Sequence, residues 1–197
     1  MSRLLVFAVI LVLAFCAQTP PLRAAELGKD ASPEQVAGEA YARMQAGQWE
    51  QAAELFDPAA LRQFREMMAP LMEAGGGEAM ATMLLGEEAT ADVVKAMSDA
   101  EFLGRFMRTV MQRSGAKLER QDILGGVAEG QDRIHLVTRT TASAMGIGMT
   151  QLEVVTVHQT SQGWRLALSG KLDGMAQALR ARQTPATVEQ TPDGETE

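Results

Sequence analysis

The chain has 197 residues, of which 46% are hydrophobic and 22% charged, with one Cys and a formal charge of −7. This composition excludes a disordered, collagenous or disulfide-rich protein and leaves an ordinary globular chain of about one domain. Eighteen basic residues stand against 25 acidic ones without a basic stripe, which argues against sequence-independent nucleic-acid binding.

Arg3 gives a positive start, Leu4 to Phe15 are twelve consecutive apolar residues, and Pro20-Pro21 precede Ala24-Ala25. That order predicts a secretory signal peptide over residues 1–25. Twelve apolar residues make about 18 Å of helix, short of a hydrocarbon core of about 30 Å, so no permanent membrane span is expected after cleavage. Cleavage is placed near Ala24-Ala25, with a site after Cys16 as the alternative. Leu13-Ala14-Phe15-Cys16 resembles the lipobox of bacterial lipoproteins, although Phe15 stands where a small residue normally precedes the lipidated Cys. The expected location is thus exported, periplasmic or secreted, with lipidation at Cys16 as the alternative. Without the leader the chain carries no Cys and a charge of −9. Disulfides, thiolate metal sites and a Cys nucleophile then drop out together.

The folded region is expected over residues 30–182. Ser32-Pro33-Glu34-Gln35 reads as a capping box with proline in the first turn, so a helix starts there. Val36, Ala40 and Met44 fall on one of its faces, and Gly47 ends it. A second short helix carries Trp49, Ala52, Ala53 and Phe56. Asp57-Pro58 starts a third, with Leu61, Phe64, Met68, Leu71 and Met72 as its apolar stripe, and Gly75-Gly76-Gly77 stops it. Shorter helical segments follow at 78–85 and 90–97. A longer helix begins near Ser98 or Asp99, carries Phe102, Leu103, Phe106 and Val110, and stops by Gly115.

From residue 117 the period becomes two. Ile134, Leu136, Thr138 and Thr140 alternate with His135, Val137, Arg139 and Thr141. Residues 149–160 are rich in β-branched types (Thr150, Val154, Val155, Thr156, Val157), and Trp164, Leu166 and Leu168 alternate with Arg165, Ala167 and Ser169. Turns fall at Glu129-Gly130-Gln131 and Ser161-Gln162-Gly163, and a further strand is expected at about 117–127. Residues 172–182 read as a short closing helix, and 183–197 as a disordered acidic tail with too few apolar groups to offset its ordering entropy. Helices followed by a four-stranded antiparallel meander predict an α+β fold, since strands and helices do not alternate.

Two resemblances follow from these segments. A helix pair with the turn GQWEQAAELFDP, followed by strands ending in GWRLALSGKL, resembles the NTF2-like superfamily over residues 33–172. That resemblance implies helices packed on a curved sheet, forming a cone with a pocket at its open end. Residues of about 75–100 then read as a helical insertion. Ala40, Trp49, Ala52, Phe56 and Ala59 also resemble one tetratricopeptide unit, but the sequence holds no second copy, and such units need about three.

The pocket is expected to be lined by Tyr41, Met44, Phe56, Phe64, Phe106, Leu136 and Trp164. In NTF2-like isomerases and dehydratases a helix Tyr polarises a carbonyl while a pocket Asp moves the proton, which would assign those roles to Tyr41 and Asp57. Asp57 directly before Pro58 also reads as a helix cap. Asp122 and Asp132 are alternative carboxylates, both expected to flank a turn and be solvated. His135, His158 and Glu153 could be drawn as a metal site, but their spacing matches no metal motif. Nine of the 13 Met residues lie between Met44 and Met111. They read as core filling or a permissive groove, with Cu(I) binding as the alternative. Neither a nucleophile elbow nor a phosphate or dinucleotide loop is present, and no cofactor or metal is expected. The leading reading is an exported, non-enzymatic domain that binds a small apolar ligand or a partner protein, a homodimer being among the assemblies it allows. An isomerase or dehydratase is the second reading and a Met-rich Cu(I) carrier the third.

Overall fold

The computed structural model describes residues 27–73 and 77–168. The expected signal peptide, Cys16, the closing helix and the tail lie outside the described residues. Six helices come first: α1 (Pro33–Gln45), α2 (Trp49–Ala53), α3 (Pro58–Glu73), α4 (Gly77–Leu85), α5 (Ala91–Ala96) and α6 (Asp99–Ser114). Four strands follow: β1 (Lys117–Glu129), β2 (Arg133–Ala144), β3 (Ile147–Thr160) and β4 (Gly163–Leu166). They form one antiparallel sheet in the order β1-β2-β3-β4. The α+β class and the four-stranded meander expected from the change of period are therefore observed.

Local chemistry explains the boundaries. The Gln35 amide donates to Ser32 Oγ and the Ser32 amide to Gln35 Oε1, so both ends of the capping box are closed. Thr90 and Ser98 cap α5 and α6 in the same way, each accepting from the third residue of its helix. The β2–β3 hairpin turns on Met145 and Gly146 with φ of 52° and 78°. Two consecutive positive φ angles are the pattern of a type I′ turn, whose twist suits adjoining strands.

Two apolar clusters hold the elements together. In the first, α1 lies on the sheet, and Val36, Ala37 and Ala40 meet Leu136, Val157 and Leu166. Ile134, Leu136, Thr138 and Thr140 do point inward, Leu136 and Thr138 being fully buried. The second cluster is helical, built from Leu61, Phe64, Met67, Met68, Leu85, Phe102 and Leu103 of α3, α4 and α6. Phe64 packs edge-on against both Phe102 and Phe106, with ring centroids 6.0 and 5.1 Å apart. Phe56 touches both clusters and bridges in parallel to Leu166.

Polar contacts tie the helical cluster together. Arg65 on α3 donates to the carbonyls of Val94 and Met97 and pairs with Asp99 at 3.2 Å. It thereby holds the end of α5 and the start of α6, while its guanidinium lies over the Phe102 ring.

Candidate functional site

A groove of about 500 Å³ runs between α1 and the inner edge of β3 and β4. Ala37, Ala40 and Met44 form its helical wall, and Phe56, Val155 and Leu166 part of the opposite side. The small side chains at 37 and 40 are what leave this space, because larger residues there would fill it. Polar groups enter from Gln121, Glu153 and Thr156. Residues 166–168 border the groove where the chain leaves β4, with the Ala167 amide donating to the Thr156 carbonyl at 2.9 Å.

The residues expected in the pocket separate into groups. Met44 and Phe56 line the groove. Leu136 is fully buried in the cluster beneath α1, and Trp164 packs at that cluster's margin. Phe64 and Phe106 belong to the helical cluster instead. Sequence reasoning missed Ala37, Val155 and Leu168 as lining residues. Val155 was discoverable, because it shares parity with inward Val157; Ala37 carried no signal of a void above it.

Tyr41 is 7% exposed, and its hydroxyl has no hydrogen-bond partner among the described residues. Burial pushes its pKa up, and the negative charges of Glu119 and Asp122 on β1 push the same way. Asp57 is engaged elsewhere. Its Oδ1 accepts from the Ala59 amide at 3.1 Å, confirming the cap, and its Oδ2 lies 3.0 Å from His158 Nε2. The acidic groups bearing on Tyr41 are thus on β1, and Asp57 clamps the start of α3 to β3. Tyr41→Phe is expected to leave stability unchanged or raise it by up to about 1 kcal/mol, since it removes a buried polar atom that lacks a partner. Urea unfolding checks this, and a loss larger than about 1 kcal/mol would reveal a missing partner.

Asp122 corrects an expectation. It lies inside β1 rather than beside a turn, because that strand continues for seven residues beyond it to Glu129, and it pairs with Arg120 at 2.9 Å. Asp132 does sit in the β1–β2 connection, where its carbonyl accepts from the Gln159 amide.

The two histidines serve different contacts. His135 Nδ1 meets Thr156 Oγ1 at 3.0 Å and its Nε2 meets Glu129 Oε2 at 2.8 Å, while His158 meets Asp57. The Glu129 carboxyl is held below its ordinary pKa by the hydrogen bond to His135, and then by Arg133. Among the described residues no group of three or more His, Cys, Asp or Glu side chains is placed to hold a metal. Of the methionines, Met67, Met68 and Met97 are buried in the helical cluster and Met72 and Met107 pack against it. Those five fill core, whereas Met83, Met145 and Met149 are exposed. Among the described residues no helix is long and apolar enough to cross a membrane.

Compared with known proteins, the chain matches no family model, no curated sequence and no solved structure.

Proposed function

We propose that this chain is an exported, NTF2-like domain that binds a predominantly apolar small molecule in the groove between α1 and the sheet. The observation that carries this reading is the groove itself. Its volume of about 500 Å³ falls in the range of small-molecule sites, and apolar side chains with a few polar groups form its wall. What supports the NTF2-like assignment is the element order. Leading helices end in a short parallel bridge at Phe56, and the antiparallel sheet then packs its inner face on α1. Export rests on the charged, apolar and polar order of residues 1–25.

Binding is favoured over isomerase chemistry by a Tyr41–Asp57 pair because Asp57 is engaged elsewhere. A proton-transfer carboxylate must reach the substrate, yet both oxygens of Asp57 already have partners on α3 and β3. The groove offers apolar area with a few polar groups from Gln121, Glu153 and Thr156, which suits retention of a predominantly apolar molecule.

The test uses the neutral apolar dye N-phenyl-1-naphthylamine. Titrated into the full chain, it is expected to give a saturable fluorescence rise. Met44→Trp puts an indole into the groove from the partly exposed rim of α1. It is expected to weaken uptake at least about tenfold, the equivalent of about 1.4 kcal/mol, with the thermal midpoint nearly unchanged. Equal uptake by the variant would place the dye elsewhere and remove this reading.

A further inference from the structure

The β2–β3 hairpin ends in apolar residues that the packing of the fold does not use. From Thr140 to Leu152 the chain carries no charged residue. Met145 is 87% exposed, Ile147 64% and Met149 60%. None of residues 142–149 belongs to either apolar cluster. Met145 also stands at φ 52°, in a two-residue turn whose left-handed positions favour Asn, Asp or Gly. A bulky side chain is unfavourable there, and at this exposure it gains little burial in return. A residue that breaks a local rule without helping the fold points to a surface used for contact.

Strand pairing gives the hairpin two unlike faces. Residues opposite each other share a face, so Leu118, Ala142 and Met149 lie on the side of Leu136, with Ala144 and Ile147 beyond them. That is the side α1 covers, and α1 ends at Gln45, whose Nε2 donates to the Glu119 carbonyl at 2.6 Å. The apolar face therefore continues past the end of the helix. The opposite face carries Lys117, Arg120 and Arg139 against one acid, Asp122, a local charge of +2 in a chain of −7. Glu119 sits in the β1 bulge and Glu153 on the α1 side. Lys117 pairs with Ser143, two residues before Met145, so the charge nearest the tip is basic.

We propose that the tip of this hairpin is a membrane-contact site, which inserts Met145, Ile147 and Met149 into an anionic lipid surface. Lys117, Arg120 and Arg139 then meet the headgroup phosphates, as basic residues behind an interfacial apolar element do. Three side chains on one turn cover far less than the roughly 800 Å² that a stable protein interface buries on each partner, but they suffice for shallow insertion. The contact is peripheral, and it does not rest on the groove or its ligand.

The test puts an indole at the tip with Ile147→Trp in the full chain, its emission read as the difference from the parent, which holds Trp49 and Trp164. With vesicles of phosphatidylcholine and phosphatidylglycerol, a blue shift and quenching by acyl-chain bromine are expected. Vesicles of phosphatidylcholine alone should need at least about tenfold more lipid for equal quenching. Adding Met145→Asn is expected to raise the lipid requirement at least about fivefold, because apolar area is lost. The thermal midpoint should hold or rise in that variant, since Asn suits the left-handed turn. An indole that stays in water beside anionic vesicles would overturn the proposal. So would an indole already shielded without vesicles, because protein then covers the tip. Equal quenching on both vesicles, or an unchanged lipid requirement after Met145→Asn, would also overturn it. The dye titration reads the groove separately, so either reading can fail alone.

Discussion

Phe64→Ala is expected to lower unfolding stability by about 3–5 kcal/mol, the largest effect of any truncation in the helical half. Phe64 is 1% exposed and sits between the rings of Phe102 and Phe106, so its removal takes two edge-to-face contacts along with buried area. The cavity left behind is bounded by α3 and α6, which Arg65 and Asp99 link at 3.2 Å, and such a site collapses only in part. Denaturant unfolding at constant m-value gives the measurement. Because Phe64 belongs to the helical cluster and not to the groove wall, dye uptake by the folded variant is expected to match the parent chain. A loss below about 1 kcal/mol would mean that this cluster is loosely packed.

Gly104→Ala is the second large effect, and here one added methyl group acts through the backbone. α6 crosses α2 at this glycine. A Cβ on residue 104 would stand 2.6 Å from Glu50 Cα and 2.8 Å from Glu50 N. Neither atom is the movable end of a side chain, so the helices must separate. Alanine ordinarily favours a helix interior by about 1 kcal/mol over glycine, whereas here overpacking is expected to reverse the sign and cost about 1–3 kcal/mol. Valine at the same position should cost more, since its branches meet the same backbone. The salt bridge between Arg108 and Glu50 one turn further on would be strained by the same shift. Thermal unfolding of the two variants in series checks both the sign and the order.

Much of the architecture is readable without coordinates, because it is decided locally. Ser32 with Gln35, Asp57 before Pro58, and Ser98 are caps that need only their own neighbours in sequence. The alternation Ile134, Leu136, Thr138, Thr140 likewise reports a half-buried strand by itself, and all four residues point inward. What sequence patterning cannot supply is which apolar stripe meets which. The stripes of α3 and α6 were assigned to the sheet's pocket through Phe64 and Phe106, yet they satisfy each other in a second cluster. A stripe states that a face is buried and is silent about its partner.

The candidate site shows the same division. Met44 and Phe56 were legible as groove residues because both lie on faces turned toward the sheet. The groove's width was not, since it depends on Ala37 and Ala40 being small opposite Val155 and Leu166, a pairing set by how α1 crosses the sheet. Asp57 shows that one residue can satisfy a local rule and a distant one together. Its cap on Ala59 was visible from Pro58, but the contact with His158, 101 positions away, follows from the parallel bridge of Phe56 to Leu166.

Native mass spectrometry of the full chain, taken directly from the cells that produce it, tests the binding assignment most directly. The groove predicts a retained apolar molecule at one copy per chain, present on the parent protein and lost from Met44→Trp. A parent chain that carries no such molecule and takes up no apolar compound in saturable fashion would contradict it.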